Sequence, residues 1–577
     1  MVGEVEKKVF DCIENSESFI IEAGAGSGKT WTLVQSLLYI VNKWGEGYKK
    51  YNKKVMCITY TNVAKEEIID RVQANDLVIV KTIHDFLWTI VKPFQKEIKH
   101  ELIFYIEEKL NKNQSEIRKK KNRDTKAYKK LESLISMHNE ALEALKLLKG
   151  KIQYKEFSSI RRGIISHDEV LYIANKIIKK SPIIQRIIQD SYPIIFIDEY
   201  QDTHKDTAET LLEYLKVNTG IIFGFFGDYY QKIYDGSVGK IDAEQYRLKI
   251  IKKTENYRCA KEVIDLLNKL RNDIKQKEAG KIKKGKCLFY YVDNSDINTE
   301  SFIDKFIRKD FNIKNEEEIK NLYLVTKTIA KKNNYLNLYE LYDEKLNPEG
   351  RRKKRKDQLI KNKDNRDCIF ANFLYDIEEV VELYKQNKIQ ALLKKIPYEL
   401  KCFEDKRVLN ENLNKLCEMR SDEIIRDVIE YVCDKKIISI PDKLQAYLSR
   451  EELQDEFFIK LMDLHYYEFR NLYYTVKDTS PFSTNHGTKG AEFDNVVCFI
   501  DDSDWKNYSI NNYFDDTDLS DGKEQRYERT QNLFYVICSR AKYNLAIVLL
   551  SKLSLDAKDK AKSLFGTENY FEMEKLI

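Results

Sequence analysis

The sequence predicts an α/β protein in which parallel sheets are flanked by helices. Short apolar runs typical of buried strands alternate with helical segments along the chain. Two long stretches, 48–149 and 351–486, contain no glycine, and the second carries apolar residues at helical spacing. We therefore expect two α/β cores, each interrupted by a mostly helical insertion. The expected strands are Phe19–Ile21, Val55–Ile58, Ile194–Ile197, Ile221–Phe226, Tyr323–Val325, Val496–Ile500 and Leu545–Leu550.

Length, net charge and cysteine content limit the classes of protein to which the chain can belong. The 577 residues correspond to roughly three or four domains, and 42% apolar residues suffice for sizeable cores. A net charge of only +6 excludes a uniformly basic chain but permits a basic groove. The ten cysteines are scattered without a CxxC pair, so we expect no zinc or iron–sulfur site and a reducing, cytoplasmic setting. No apolar run reaches the ~18 residues of a membrane span, and we expect no membrane partner.

A glycine-rich loop follows the first expected strand, in the sequence IIEAGAGSGKT. Its glycines let backbone N–H groups approach a polyphosphate closely, at the start of a helix. Lys29 is placed to reach the β and γ phosphates, and the Thr30 hydroxyl is placed to ligate Mg²⁺. The sequence therefore predicts a nucleotide-binding loop with backbone contacts from Gly24, Gly26 and Gly28.

An acidic pair directly follows the strand Ile194–Ile197. Asp198 is placed to hold Mg²⁺ through water, and Glu199 to polarise the attacking water as a general base. An acidic pair alone usually marks a solvated strand end. After four apolar residues in a chain with a phosphate-binding loop, it indicates hydrolysis of a nucleoside triphosphate.

Eight segments resemble, in order, the motifs of superfamily 1A helicases of the UvrD/Rep/PcrA group. The resemblance implies two RecA-like cores, ATP and Mg²⁺ as cofactors, and single-stranded DNA as partner. It spans residues 23 to 542. The segments are Ala23–Thr30, Ile58–Ile68, Lys81–Phe86, Ile197–Thr203, Phe225–Tyr234, Glu255–Arg258, His486–Asp494 and Leu533–Lys542.

The resemblance also implies a domain plan. We expect the first core over 1–88 and 165–255, with a helical insertion over 89–164. The second core is expected over 256–345 and 478–577, with a helical insertion over 346–477. The chain ends soon after the last motif, so we expect no appended nuclease domain.

Further nucleotide contacts follow from the resemblance alone. Gln231 would sense the γ-phosphate and couple it to DNA, and Arg258 would contact that phosphate. Tyr257 would stack on the base, and Glu492 would bind the ribose. Arg540 would act as an arginine finger from the second core, because a guanidinium stays charged and offers a rigid fork to phosphate oxygens.

DNA contacts are expected at the motifs that face the strand. Tyr60 occupies a position where a base can stack, and aromatic platforms with polar backbone contacts bind single strands without regard to sequence. Simple packing of Tyr60 and loop hydrogen bonding of the two histidines remain alternatives. The expected phosphate or sugar contacts are Asn62, Thr82, His84, His486 and Thr488.

The chain departs from the group's pattern in three places. Val5–Glu17 contains no glutamine to read adenine, and Trp31 replaces a frequent arginine, so stacking on Trp31 or Tyr257 is expected to dominate base recognition. No aromatic wedge follows Tyr234 directly. The second insertion is short. Two basic runs, Ile117–Arg123 and Arg351–Lys356, fit either solvated segments or phosphate contacts.

Two functions fit this pattern. The first is an ATP-driven single-stranded DNA translocase with 3′→5′ polarity that unwinds duplex. The second is a DNA-stimulated ATPase that regulates a nuclease partner, since compact proteins of this kind resemble helicase subunits of anti-phage systems such as Gabija. The DNA motifs argue against a kinase. A non-catalytic scaffold is disfavoured because the residues expected at the phosphates and the metal are intact, namely Lys29, Thr30, Asp198, Glu199, Gln231, Arg258 and Arg540.

Overall fold

The computed structural model of the chain describes residues 3–60, 62–120, 122–123, 125–155, 158–233, 236–280, 284–293, 297–314, 318–323, 326–343, 359, 369–397, 400–449, 456–477, 482–484, 491–504 and 507–573. In this part of the chain, two six-stranded sheets form the framework.

The first half of the chain is built on one of these sheets. Its order is β3-β2-β6-β7-β1-β8 and every pairing in it is parallel, while β4 and β5 pair separately. Loops at the carboxyl ends of parallel strands gather at one edge, where ligands bind. The strands are β1 (Phe19–Ala23), β2 (Val55–Thr59), β3 (Val78–Thr82), β4 (Gln153–Tyr154), β5 (Ile164–Ile165), β6 (Ile194–Asp198), β7 (Ile222–Gly227) and β8 (Lys249–Lys253).

Helices cover both faces of this sheet. Ser181 starts one of them by accepting a hydrogen bond from the Ile184 N–H, with Pro182 at the first helical position. α5 and α6 pack on each other, and α5 also packs on α7. The helices are α1 (Glu4–Glu14), α2 (Lys29–Lys50), α3 (Asn62–Arg71), α4 (Ile83–Val91), α5 (Gln95–Arg118), α6 (Lys126–Leu147), α7 (His167–Lys180), α8 (Pro182–Ser191) and α9 (Lys205–Glu209), which continues as a π-helix over Thr210–Lys216.

The second half repeats this layout. Its sheet has the order β13-β12-β14-β15-β11-β16, again with parallel pairings, and β9 pairs with β10. The strands are β9 (Glu255–Asn256), β10 (Lys277–Glu278), β11 (Lys286–Tyr291), β12 (Lys320–Tyr323), β13 (Phe482–Thr484), β14 (Phe493–Ile500), β15 (Ala541–Leu549) and β16 (Tyr570–Glu572).

The second half also carries a helical array between β12 and β13. A buried ion pair between Glu378 and Arg420 lies inside it. The helices of this half are α10 (Lys261–Leu270), α11 (Thr299–Phe302), α12 (Arg308–Phe311), α13 (Thr326–Lys332), α14 (Leu336–Asp343), α15 (Ile369–Lys385), α16 (Ile389–Lys395), α17 (Phe403–Asp422), α18 (Ile425–Asp434), α19 (Asp442–Ser449), α20 (Glu456–Met462), α21 (Tyr466–Val476), α22 (Ile510–Phe514), α23 (Thr517–Ser520), α24 (Glu524–Cys538) and α25 (Leu555–Phe565).

These elements confirm the expected fold class, an α/β protein with two parallel sheets and helical segments between their strands. One expected strand was misplaced: β12 begins at Lys320 and ends at Tyr323, and positions 324 and 325 lie outside the described residues. The domain limits drawn from the sequence remain a proposal. Among the described residues, no helix combines the length and apolar character that crossing a membrane requires.

Candidate active site

The loop between β1 and α2 is held in one conformation by its glycines. Gly26 has φ +76° and Gly28 has φ +78°, in the left-handed region that favours glycine. A Cβ at Gly26 would lie 2.6 Å from Oδ1 of Asn256, so a larger residue does not fit there. Ser27 Oγ donates to the Gly24 carbonyl at 2.8 Å and closes the loop. The loop is therefore a compact cradle at a helix start, where free N–H groups bind phosphates.

Two exposed aromatic rings lie beside this cradle. Trp31, in the first turn of α2, is 42% exposed, and Lys253 Nζ lies 5.9 Å from its ring centroid. Tyr257 is 60% exposed, and its backbone N–H donates to the Gly26 carbonyl at 3.0 Å. Both rings are therefore accessible to a base, and stacking on either of them stays a prediction.

Side chains from later in the chain hold the cradle at Ala25. The Ala25 carbonyl accepts hydrogen bonds from Asn256 Nδ2 and Gln276 Nε2, each at 2.9 Å. The Ala25 N–H donates to the Tyr535 hydroxyl at 3.3 Å. Sequence reasoning assigned no role to these three side chains. Asn256 and Tyr535 stand inside motif segments, whereas no sequence signal marks Gln276.

The acidic pair lies where β6 ends. Glu199 has φ +49°, a conformation that costs a non-glycine residue about 1–3 kcal/mol and persists only when its surroundings impose it. Its N–H donates to Asp198 Oδ1 at 3.1 Å, and Gln201 Nε2 donates to Glu199 Oε2 at 2.5 Å. Gln201 also accepts from the Asp228 N–H at 3.1 Å. The buried Gln201 therefore fixes the Glu199 carboxylate and joins it to the next strand.

The electrostatics of this pair fit a divalent cation. Burial, and then the neighbouring Glu199, raise the pKa of Asp198 to about 7, while Lys29 opposes the shift. A cation would favour the charged carboxylate, because opposite charge lowers a carboxyl pKa. The Thr30 hydroxyl could ligate Mg²⁺ directly and Asp198 could hold it through water, since Mg²⁺ takes hard oxygen ligands and keeps several waters. When bound, Mg²⁺ would neutralise charge on phosphate oxygens.

Asp228, in the turn after β7, is a buried hydrogen-bond hub. Its Oδ2 accepts from Gln231 Nε2 at 3.0 Å, from the Tyr535 hydroxyl at 3.2 Å and from Arg271 Nη1 at 3.3 Å. Arg271 also pairs with Asp273 through two bonds, at 2.7 and 2.8 Å. The hub thus connects the first sheet, through Asp228 and Gln231, to α24, which carries Tyr535.

Arg540 reaches the first core from the second. Its side chain is buried, with Nη1 donating to the Ala491 carbonyl at 2.9 Å and Nε to the Val536 carbonyl at 3.0 Å. Nη2 lies 3.4 Å from Gln231 Oε1. Burial and then Arg258 lower the pKa of Arg540 to about 10, so the guanidinium stays protonated at neutral pH. Glu199 opposes this shift, and the charged fork therefore sits within electrostatic reach of the expected general base.

Two other expected nucleotide contacts pair with each other. Arg258 Nε forms an ion pair with Glu492 Oε2, and both side chains are partly exposed. The Arg258 N–H donates to Asn256 Oδ1 at 2.9 Å, which ties its backbone to the cradle. The structure therefore brings Arg258 and Glu492 to one place, with their charges satisfied by one another.

The expected DNA contacts are only partly described. Tyr60 is 39% exposed directly after β2 and lines a cavity of about 200 Å³ together with His84 and Asp198. Thr82 Oγ1 caps α4 by accepting from the Asp85 N–H at 3.2 Å. The Asn62 side chain, His486 and Thr488 lie outside the described residues, as does the basic run Arg351–Lys356.

His84 is partly buried and packs on another histidine. Its ring lies 4.5 Å from the ring of His167, centroid to centroid. Burial and then His167 lower the pKa of His84 to about 4. The imidazole is therefore neutral at physiological pH and suits hydrogen bonding to a sugar or phosphate rather than ion pairing.

The two sheets approach the site from opposite ends. Asp198 ends β6 and Gln231 follows β7 at the carboxyl edge of the first sheet. Glu492 and Arg540 immediately precede β14 and β15 at the amino edge of the second. The phosphate cradle, the carboxylate pair and the buried guanidinium therefore meet between the sheets. This arrangement suits cleavage of a phosphoanhydride.

Comparison with known proteins agrees with this geometry. Residues 5–242 match the model of the UvrD/REP helicase N-terminal domain. The chain is 28% identical to Gabija protein GajB of Bacillus cereus, over 97% of this chain and 96% of that protein. It is 28% identical to ATP-dependent DNA helicase Rep of Buchnera aphidicola over 50% of this chain, and 22% identical to ATP-dependent DNA helicase PcrA of Staphylococcus aureus over 54%. Those two matches span 48% and 46% of the relatives' own lengths. Residues 5–242 therefore resemble the N-terminal domain of UvrD/REP helicases, and the chain is similar to Gabija protein GajB over nearly its whole length.

Proposed function

We propose that the chain is an ATP-driven translocase and helicase on single-stranded DNA, moving 3′→5′. The observation that carries the proposal is the contact of Arg540, from the second core, with Gln231 of the first, close to Glu199. A charged group that reaches across two cores to a hydrolytic carboxylate couples turnover to their relative movement.

Each step of the proposed reaction falls to a described side chain. Lys29 and the glycine loop hold the phosphates, and Glu199, fixed by Gln201, accepts a proton from the attacking water. Arg540 balances the negative charge that develops as the phosphate departs. Loss of the γ-phosphate would alter the position of Gln231, which is hydrogen-bonded to Asp228. Asp228 in turn is hydrogen-bonded to Tyr535 on α24.

The nucleic-acid track is proposed to run past Tyr60, Thr82 and His84. Thr82 ends β3, and Tyr60 and His84 come just after β2 and β3. All three lie at the carboxyl edge of the first sheet, the edge that also carries Asp198 and Glu199. The relatives Rep and PcrA are named as ATP-dependent DNA helicases, which supports DNA as the substrate. We expect the protein to act in the cytoplasm.

ATPase measurements test this function directly. The rate should be low for the chain alone and rise at least tenfold with a 20-nucleotide single-stranded DNA. The ATPase rates with the same sequence as duplex DNA and as RNA are measured for comparison. An ATPase rate that none of the three nucleic acids changes would refute the function of a nucleic-acid motor.

A second function is favoured by one observation. Similarity to Gabija protein GajB covers 97% of the chain, whereas similarity to Rep covers half of it. On this alternative the chain is a DNA-stimulated ATPase that senses DNA and regulates a nuclease partner in antiviral defence. Co-purification with a nuclease encoded beside it, and nuclease activity that changes with Glu199→Gln, would select this function.

A further inference from the structure

A second polar cavity lies away from the nucleotide loop, among the helices between β3 and β6. Its volume is about 540 Å³, within the range of small-molecule sites. It is enclosed by α5, α6, the first turn of α7 and the turn that joins β4 to β5. The polar residues that line it are Lys109, His138, Ser158, Ser159, Arg161, Arg162 and Glu169.

The turn that carries the two arginines is fixed. Ile160–Arg162 forms a 3-10 turn that ends at Gly163, which has φ +69°. A Cβ on this glycine would lie 2.7 Å from Leu148 Cδ2. Arg161 forms an ion pair with Glu140 of α6. The backbone of this turn therefore has a set position on the cavity wall, and the pair with Glu140 also holds the Arg161 side chain.

His138 adds a buried donor to the same wall. It is 6% exposed, and Asn113 Nδ2 donates to its Nδ1 at 3.3 Å. A neutral imidazole that accepts at Nδ1 carries its proton on Nε2. Burial and then Lys109 lower the pKa of His138, which keeps this ring neutral. The wall thus combines cationic groups with an N–H donor and two serine hydroxyls, and its carboxylate, Glu169, is occupied by capping Ser166.

The segment that contains α5, α6 and the turn between β4 and β5 carries a net positive charge. Residues 89–164 contain 19 lysines and arginines against ten aspartates and glutamates, whereas the net charge of the entire chain is +6. The segment that supplies α5, α6 and the turn therefore carries a net positive charge, which favours an anionic ligand in this cavity.

The first turn of α7 connects this cavity with the catalytic centre. Glu169 lines the cavity, while its neighbours Asp168 and Leu171 line the 200 Å³ cavity that also includes Asp198 and Glu199. A ligand held against this turn would press on the element that borders the acidic pair.

We propose that the cavity between α5, α6 and α7 binds a phosphate group, either of a free nucleotide or of a nucleic-acid backbone, and that α7 conveys its occupancy to the hydrolytic centre. The second part rests on the proposed ATPase function, whereas the binding itself does not.

Binding is tested in full-length chain carrying Lys29→Ala, which weakens the main nucleotide site. The cavity variant Lys109→Ala/Arg162→Ala is compared with Lys112→Ala/Arg123→Ala, which removes the same charge from exposed positions of the same segment. The probes are a fluorescent ADP and a fluorescein-labelled 20-nucleotide single strand, each titrated at several salt concentrations.

A loss of about tenfold or more in ADP affinity, in the cavity variant only, assigns a free nucleotide. A similar loss of affinity for the single strand would instead identify the ligand as a backbone phosphate. The dependence of log affinity on log salt concentration should then be less steep, by about one or two. Equal losses of affinity in both variants overturn the proposal. Unchanged affinity in a cavity variant that is correctly folded overturns it as well.

Coupling is tested separately with Lys29 restored. The cavity variant should shift the DNA or nucleotide concentration that half-activates the ATPase, relative to the control variant. Unchanged activation despite lost binding would overturn the role of α7. Absence of ATPase in the unmodified chain would refute the proposed function and leave the binding result standing.

Discussion

Glu199 performs the proton transfer of the proposed reaction, and its neighbours hold its carboxylate in place. Replacement by glutamine preserves the shape and the contact with Gln201 but removes the basic oxygen. We expect Glu199→Gln to lower kcat by about 10²–10⁴-fold, the usual contribution of general base catalysis. ATP binding with Mg²⁺ should persist in equilibrium titrations.

The matched control for this variant is Glu46→Gln, at an exposed position near the far end of α2. It should hydrolyse ATP at the rate of the unmodified chain. Near-normal turnover by Glu199→Gln would remove Glu199 from the role of base.

His84 predicts a pH dependence of stability. Its pKa is about 4 in the folded chain, below the roughly 6.5 of an unfolded histidine, because of burial and then His167. Above pH 6.5 both states are neutral; as pH falls from 6.5 to 4, only the unfolded chain gains the proton. Stability should therefore fall over this window, by about 3 kcal/mol at most.

The variant His84→Gln cannot titrate and should lose less stability than the unmodified chain between pH 7.5 and pH 5. His100→Gln, at an exposed site, provides the control and should follow the unmodified chain. Denaturant unfolding at the two pH values measures the difference. Identical losses in the chain and in His84→Gln would refute the buried, neutral state of His84.

Residue patterns alone predicted the candidate site residues whose chemistry is local, and the resemblance to helicase motifs added distant ones such as Arg540. Lys29 and Glu199 each stand beside a strand end in a recognisable pattern. Gln276 and Arg271 have no such pattern, since they reach Ala25 and Asp228 only after the fold joins distant segments. Their roles depend on tertiary packing, which a single sequence does not display.

At the scale of elements, we expect the link between α24 and the first sheet to couple ATP hydrolysis to movement of the cores. Arg540 follows Ser539, the C-cap of this helix, and its guanidinium contacts Gln231. We expect Arg540→Ala to lower kcat by about 10³-fold or more, as for other arginine fingers. Single-stranded DNA affinity should stay within about threefold.

Because Arg540 is buried, its removal also leaves the Ala491 carbonyl without this donor. Arg540→Lys keeps the positive charge and loses the planar guanidinium with its paired N–H donors. It therefore distinguishes the effect of the charge from that of the hydrogen-bonding geometry. If DNA binding fell and turnover survived in either variant, Arg540 would belong to the nucleic-acid groove instead.

Strand prediction succeeded for most interior strands and missed the edge strands β3, β8, β13 and β16. β2, β6 and β7 are continuous apolar runs because both of their faces are covered. β8, with the sequence KIIKK, is an edge strand in which three of five residues are lysine, so no apolar run marks it. The edge strands β13 and β16 have three residues each, too few for a periodic signal. The interior strand β11 was also missed.

At the scale of the whole molecule, the question is whether this motor unwinds DNA alone. Translocation requires two coupled cores and a single-stranded track, and both are part of the proposed function. Unwinding also requires an element that splits the duplex. The sequence DGS that follows Tyr234 offers no aromatic wedge, and a basic segment supplies attraction without stacking. We therefore expect ATPase that is strongly stimulated by single-stranded DNA, with little unwinding by the isolated chain.

A strand-displacement assay on a 3′-tailed duplex decides this point, with a 5′-tailed duplex as the polarity control. Stimulation of the ATPase should fall steeply as salt rises, because phosphate contacts release counterions. Displacement that appears only when a partner nuclease is added would favour the regulatory function. Processive displacement of the 3′-tailed duplex by the purified chain would contradict our expectation and identify an autonomous helicase, whose duplex-splitting element would then have to lie elsewhere than after Tyr234.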